Sequence, residues 1–123
     1  MPKTTQADLD RLVEKWQKIL RLQDWDIHAS LVPAGELENK ALAGCIVTPE
    51  RRLAVIKLVD PAVAKSLDHD IPYCFESTLV HEIIHIYFEL LEISEEKHML
   101  EEQAVDSLAR SLVKLSRGEF EGE

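Results

Sequence analysis

The sequence predicts one α+β domain, in which a helix, three strands and two further helices follow one another. An amphipathic pattern opens the chain, three short β-compatible segments occupy its middle, and two long helical patterns close it. The 123 residues suffice for one hydrophobic core but not for two. The hydrophobic share of 46% and the charged share of 30% are ordinary for a globular domain. We therefore expect residues 1–123 to form a single domain.

The first predicted helix covers residues 5–22. Thr5 followed by Asp8 resembles a capping box, with Asp in the place of Glu or Gln. Behind it, apolar residues recur at helical spacing while charged residues lie mostly on the other side. The apolar residues are Leu9, Leu12, Val13, Trp16, Ile19 and Leu20.

Three strands follow. From Trp25 to Val32 apolar and polar residues alternate, and Pro33 and Gly35 mark the end of this strand. Residues 45–48 form a second strand, residues 48–51 a turn, and Leu53–Val59 a third strand. We expect the last two strands to form an antiparallel hairpin, within a sheet that is antiparallel or mixed.

Two helices complete the predicted fold. Asp60-Pro61 ends the sheet, and residues 61–72 hold a short helix and a loop. A helix then covers residues 74–91, and a final helix covers residues 95–115 with Ser94 as its N-cap. Residues 117–123 form a polar tail.

Charge and hydropathy exclude several partners. The net charge of −9 repels phosphate backbones, so we expect no nucleic-acid binding. The polar start, residues 1–6, has no apolar segment behind it, and we expect no secretory signal. The longest apolar run is interrupted by charged and imidazole side chains, and we expect no membrane partner. A cytoplasmic location follows from these expectations, whereas the oligomeric state stays open.

Cys45 and Cys74 stand far apart and form no CxxC pair. We interpret them as two reduced, buried thiols, as expected in a reducing compartment. A disulfide and a catalytic thiol are the alternatives.

The segment His81-Glu82-Ile83-Ile84-His85 carries the chemistry. Two histidines at i and i+4 project from one face of a helix, one turn apart, and their imidazoles can bind one Zn²⁺ ion at about 2.0–2.1 Å. Glu82 then falls next to the open position of the metal, where it can take a proton from zinc-bound water. The pattern predicts a zinc-dependent endopeptidase with Glu82 as the base, acting on a peptide or protein.

The rest of this helix supports the hypothesis. At 100° per residue its polar residues from 78 to 92 share one stripe, and the remaining circumference is apolar. We expect the helix to be buried on most sides and to open onto a polar cleft. Unpaired polar groups in a core are costly, so two histidines and a glutamate there need a role.

The third metal ligand is expected on the last helix. Glu102 and Asp106 stand at i and i+4 on one face, flanking the apolar stripe of Val105, Leu108, Ala109 and Leu112. Glu102 can supply the third ligand, and Asp106 can accept a hydrogen bond from the other nitrogen of His81. Glu101 and His98 are the rival ligands, and a solvated acidic surface is the alternative for the whole stretch.

With these residues the chain resembles the gluzincin metallopeptidases, which carry HExxH on one helix and a Glu ligand, with an Asp four residues later, on a following helix. The resemblance implies that His81, His85 and Glu102 bind Zn²⁺ and that Glu82 is the base. It also implies that Asp106 accepts a hydrogen bond from a zinc-bound histidine. The single-domain minigluzincins are similar in size and in the order of their elements, which covers nearly all of this chain. The ImmA-like peptidases also carry the motif on short chains and remain an alternative.

The resemblance implies three further features. The edge strand above the active-site helix would bind substrate as an added strand, and that strand would be Leu53–Val59, with Leu53, Ala54, Val55, Ile56 and Lys57 as contacts. Larger gluzincins have a downstream Tyr or His that stabilises the oxyanion, but none follows His98 here. Minigluzincins are described as latent, so the tail around Phe120 would block the cleft; a solvated tail is the alternative.

Two other functions fit the same residues. In a non-catalytic module, zinc would staple the two helices and the cleft would hold a peptide or protein partner. In the last alternative the motif is accidental and the protein binds no metal.

Overall fold

The computed structural model describes residues 5–33, 37, 43–59, 75–92 and 94–118. It contains an N-terminal helix, a three-stranded mixed sheet and two C-terminal helices, which confirms the predicted α+β architecture. The elements are α1 (Gln6–Ile19), β1 (Asp26–Val32), β2 (Ala43–Thr48), β3 (Leu53–Val59), α2 (Phe75–Leu90) and α3 (His98–Ser116). The expected short helix at residues 61–72 and the tail around Phe120 lie outside the described residues.

Helix α1 begins with the predicted capping box. The hydroxyl of Thr5 accepts a hydrogen bond from the backbone amide of Asp8 (3.1 Å), and the Asp8 carboxylate accepts one from the amide of Thr5 (2.9 Å). The helix ends at Ile19 rather than at residue 22, because Arg21 takes a left-handed conformation with φ of 59°. Its buried face is formed by Leu9, Val13 and Trp16.

The sheet has the order β1-β3-β2. Strand β3 pairs with β1 in parallel and with β2 antiparallel, so the predicted β2–β3 hairpin is confirmed. A 3-10 turn at Pro49–Arg51 connects the hairpin strands, and Arg52 closes it in the left-handed region at φ of 49°. Strand β2 begins at Ala43, slightly before the predicted start at residue 45.

Helix α2 packs against the sheet and against α3, and its apolar face supplies much of the core. Its buried apolar residues are Leu79, Val80, Ile83, Ile84 and Ile86. The expectation that the helix is buried on most sides is wrong for its last turn, where Tyr87, Leu90 and Leu91 are exposed.

Glu76, at the start of α2, is a buried carboxylate that the sequence did not single out. It accepts hydrogen bonds from Trp16 Nε1 (2.6 Å), Lys15 Nζ (2.9 Å) and Arg117 Nη2 (2.9 Å). Burial raises the pKa of this carboxyl, but the hydrogen bonds from these three residues outweigh burial and hold its pKa below the ordinary value of 4.5. Glu76 therefore links α1, α2 and the end of α3 around one negative charge.

The last helix starts in two steps. A 3-10 turn covers Glu95–Lys97, with Ser94 at its N-cap position but without a capping side-chain hydrogen bond, and α3 begins at His98. Val105, Ala109 and Val113 form the buried face of α3, at i, i+4 and i+8. Leu108, which was expected in this stripe, is 47% exposed, because the buried row runs through Val113 and leaves Leu108 on its outer side.

Candidate metal centre

Helix α2 brings the two motif histidines onto one face, as predicted. The ring centroids of His81 and His85 lie 5.0 Å apart and the rings are inclined by 55°. Their side chains are only 17% and 19% exposed. The two imidazoles thus stand side by side at the edge of the core, where a shared ligand can reach both.

Glu102 supplies that shared contact from α3. Its Oε1 lies 2.7 Å from Nε2 of His85 and its Oε2 lies 3.3 Å from Nε2 of His81. One ligand atom from each of these residues lies within 4.8 Å of the other two, a spacing that allows one metal ion to bind all three. The predicted ligands His81, His85 and Glu102 are therefore brought together.

The other nitrogen of each histidine faces a second carboxylate. Asp106 Oδ1 lies 3.5 Å from Nδ1 of His81, the neighbour that the sequence predicted. Glu101 Oε2 lies 3.1 Å from Nδ1 of His85. With a metal ion on the Nε2 side, these carboxylates would accept the Nδ1 protons and leave both Nε2 atoms, which face Glu102, as electron-pair donors.

The structure separates the roles of Glu101 and Glu102. Glu101 was the main rival for the third ligand, yet it lies on the Nδ1 side of His85, while Glu102 lies on the Nε2 side. Its role behind His85 was missed in the sequence. The available signal was its alignment with Val105, which indicated that Glu101 faces α2; its side chain is indeed only 13% exposed.

Glu82 lies beside His81, His85 and Glu102 and lines the cleft between β2, α2 and α3. Burial raises the pKa of its carboxyl above the ordinary value; His81 and His85 oppose that shift, and the negative charge of Glu102 adds to it. Because Glu82 is outside the ligand group, its carboxylate is available for proton transfer.

The cleft has a volume of about 520 Å³ and lies between β2, α2 and α3. Strand β2 forms one wall, and the two helices form the other. Its lining residues are Cys45, Ile46, Val47, Glu82, His85, Glu89, His98, Glu101 and Glu102.

The expected substrate strand needs a correction. Leu53–Val59 is the central strand β3, and both of its edges are already paired, with Leu53, Ala54, Val55, Ile56 and Lys57 each matched to residues of β1 and β2. It has no free edge that could accept another strand. The strand that borders the cleft is β2, and among the described residues it pairs only with β3.

Strand β1, the other edge, is covered by a side chain. Gln6 donates from Nε2 to the carbonyl of Ala29 (2.7 Å) and accepts a hydrogen bond from the amide of Leu31 (3.4 Å). Such side-chain contacts use the backbone groups that an incoming strand would need. Among the described residues, β2 is thus the sheet edge without such a cover, and it is the edge beside the candidate metal centre.

Cys45 faces the cleft as a protonated thiol. Burial raises the pKa of Cys45 to about 12, with further contributions from the negative charges of Glu82 and Glu89. A thiol held neutral at physiological pH is a poor nucleophile, so the geometry argues against the catalytic-thiol alternative. Cys45 forms no disulfide with another described residue, and Cys74 lies outside the described residues.

Tyr87, His69, Tyr73 and His98 are the tyrosines and a subset of the histidines outside the motif that could donate a hydrogen bond to the oxyanion. The hydroxyl of Tyr87 donates to the carbonyl of Leu20, at the end of α1, and does not line the cleft. His69 and Tyr73 lie outside the described residues. His98, considered earlier as a rival ligand, lines the cleft but is not part of the ligand group.

Among the described residues no helix is long and apolar enough to cross a bilayer. Comparison of the chain with protein-family models, with curated proteins and with solved structures finds no match in any of the three. The cluster of His81, His85 and Glu102, with the cleft beside it, is therefore the feature of the molecule that points to a function.

Proposed function

We propose that this chain is a zinc-dependent endopeptidase of the gluzincin type. One observation carries the proposal: one ligand atom from each of His81, His85 and Glu102 lies within 4.8 Å of the other two, at a cleft that Glu82 also lines. A set of two imidazoles and one carboxylate is typical of catalytic zinc sites, which keep a position open for water or substrate.

The donor set fits Zn²⁺ on chemical grounds. Two neutral imidazole nitrogens and one carboxylate oxygen are borderline ligands that suit zinc, and each imidazole has a carboxylate behind it to hold its orientation. When bound, Zn²⁺ supplies acidification of water and polarisation of the scissile carbonyl.

Glu82 is proposed as the general base. Its carboxylate takes a proton from the attacking water and returns it to the amine that leaves when the peptide bond breaks. Burial raises the pKa of Glu82, and a base whose pKa lies nearer to neutral is better suited to both transfers. Because Glu82 belongs to no ion pair with a cation among the described residues, its removal should leave metal binding intact.

We propose that substrate binds along β2 as an added strand. The edge of Ala43–Thr48 that pairs with no other described strand borders the cleft, on the side opposite Glu82 and His85. Backbone hydrogen bonds to such an edge hold a peptide in an extended conformation, largely independently of its sequence. The partner is thus a peptide or an extended segment of a protein.

The remaining expectations stand as predictions within this proposal. The sequence suggests a cytoplasmic protein that binds neither nucleic acid nor membrane, and the net charge of −9 supports the former exclusion.

A second function is favoured by the position of the ligands on two helices. His81 and His85 lie on α2 and Glu102 on α3, so a metal ion would link the two helices. In this alternative the zinc is structural and the cleft holds a partner without cleaving it.

Metal content and peptide hydrolysis, measured on the same samples, decide between these functions. We compare wild type with Glu82→Gln and with Glu14→Gln, a matched charge change on the exposed side of α1. We expect stoichiometric zinc in all three, and a loss of hydrolysis of about 10²–10⁴-fold in Glu82→Gln alone. Zinc without turnover in wild type indicates the structural module, and equal activity in wild type and Glu82→Gln contradicts the assignment of the base.

A further inference from the structure

Peptide hydrolysis at this site develops negative charge on the carbonyl oxygen, and a hydrogen-bond donor beside that oxygen strongly favours the reaction. The sequence supplies no Tyr or His after His98 for this role. Tyr87 is held at the end of α1 by its bond to Leu20. Among the described residues, the remaining candidate in the cleft is His98.

His98 is the first residue of α3, and it enters the cleft from the side opposite β2. Its Nδ1 lies 4.0 Å from Oε1 of Glu101, whose other oxygen lies 3.1 Å from Nδ1 of His85. Glu101 is thus shared between a ligand histidine and a cleft histidine. At 4.0 Å the His98–Glu101 contact is longer than a hydrogen bond, but it makes Nδ1 the ring nitrogen nearer to Glu101 and leaves Nε2 for another partner.

The helix itself gives no reason for a histidine at this position. The first turn of a helix disfavours a cation, and the His98 side chain is 67% exposed, so it contributes little to the core. It also lies outside the group of His81, His85 and Glu102 that can hold a metal.

We propose that His98 donates a hydrogen bond from Nε2 to the oxyanion that forms when water attacks the scissile carbonyl. This inference rests on the proposed peptidase function. His98 keeps its proton throughout: the new bond joins the water oxygen to the carbonyl carbon, Glu82 takes the water proton, and the C–N bond breaks as that proton reaches the amine. Either the neutral ring protonated on Nε2 or the imidazolium provides the donor.

The test uses the full chain with zinc and three variants. His98→Ala removes the donor, His98→Gln replaces it with an amide N–H, and His28→Ala is the control, because His28 is an exposed residue of β1, at the far edge of the sheet. For each we measure zinc per chain, the kcat and KM for a fluorogenic peptide, and the Kd of a phosphinic peptide that mimics the tetrahedral intermediate.

We expect His98→Ala to keep its zinc and to lose about 10²-fold in kcat. Its KM should change by less than about threefold, since the contact forms only in the transition state. The phosphinic peptide should bind more weakly by a factor similar to the loss in kcat, and His98→Gln should recover part of both losses. His28→Ala should behave as wild type in every measurement.

Two results overturn the inference while leaving the peptidase in place. In the first, His98→Ala retains the wild-type kcat and phosphinic-peptide affinity. In the second, His98→Ala loses zinc, which makes His98 a ligand rather than an oxyanion donor. A wild-type protein without Glu82-dependent hydrolysis is a different outcome: it removes the proposed function, and the role of His98 with it.

Discussion

Glu101 Oε2 lies 3.1 Å from Nδ1 of His85, on the opposite side of the ring from Glu102. Two adjacent residues of α3 therefore contact the two nitrogens of one imidazole. A carboxylate at Nδ1 fixes the tautomer and makes Nε2 a stronger electron-pair donor. Asp106 takes the corresponding position at His81, where the distance to Nδ1 is 3.5 Å.

Replacing Glu101 with Gln should weaken zinc binding without abolishing it. An amide cannot accept the Nδ1 proton as strongly as a carboxylate, so we expect a loss of about 10–100-fold in affinity, with one zinc per chain at saturation. Glu102→Gln should lose much more, because it removes the third ligand. Competition with a chromogenic chelator measures both, and Glu96→Gln, an exposed change just before α3, is the control. A larger loss in Glu101→Gln than in Glu102→Gln would mean that the two roles are exchanged.

Metal removal should destabilise the protein by uncoupling α2 from α3. A ligand that binds only the folded state at 100 times its Kd stabilises that state by about 2.7 kcal/mol. For a domain of this size that corresponds to a fall in Tm of about 10 °C. Thermal unfolding with and without a chelator measures this shift in wild type. In His81→Ala the chelator should have little effect, and an equal shift in that variant would place the metal elsewhere.

If substrate binds along β2, kcat/KM should depend periodically on which backbone amide of the peptide is methylated. Neighbouring backbone groups of a strand point alternately toward and away from its partner, so N-methylation at every second position should remove a hydrogen bond to β2. Each such bond contributes about 1 kcal/mol, so kcat/KM should fall about five-fold at alternate positions. Gln6→Ala, which uncovers the β1 edge, should leave this pattern unchanged. A uniform response along the peptide would argue against strand addition.

Local features of this chain were predictable because they depend on short-range rules. The capping box of Thr5 and Asp8 follows from a spacing of three residues, and the shared face of His81 and His85 follows from a spacing of four. The bounds of Leu53–Val59 match the structure, since its run of β-branched and aliphatic residues ends at turn signals on both sides.

Features that depend on long-range packing were not predictable in the same way. The alternation of apolar and polar residues predicts which side chains share a face of a strand, but it does not predict which strands lie beside it. The central position of β3 between β1 and β2 could therefore not be read from its sequence. Glu101 and Glu102 differ by about 100° around the helix, and which of them faces Nε2 of His85 depends on how α3 crosses α2. Glu76 was missed because its partners lie 41 to 61 positions away in the chain.

Glu76 should make the stability of the fold depend on pH in the acidic range. Hydrogen bonds from Trp16, Lys15 and Arg117 overcome the effect of burial and lower the pKa of this carboxyl below 4.5 in the folded state. A group with a lowered folded pKa contributes its full stabilisation above the unfolded pKa. That contribution is lost as the pH falls below about 4.5 and through the folded pKa, because protons then bind the unfolded chain more tightly.

Glu76→Gln should therefore lower the free energy of unfolding by about 2–3 kcal/mol at pH 7, since it weakens hydrogen bonds to a charged, buried acceptor. The difference between wild type and variant should shrink as the pH falls from about 4.5 through the lowered pKa of the folded state, where the folded wild-type carboxyl becomes neutral as well. Urea unfolding at a series of pH values measures this difference. Glu14→Gln, at an exposed i,i+4 pair with Lys18 on α1, should cost less than about 0.5 kcal/mol at every pH. If the free energies of unfolding of wild type and Glu76→Gln differ by the same amount at every pH, then the packing of the Glu76 side chain, and not its charge, links the three helices.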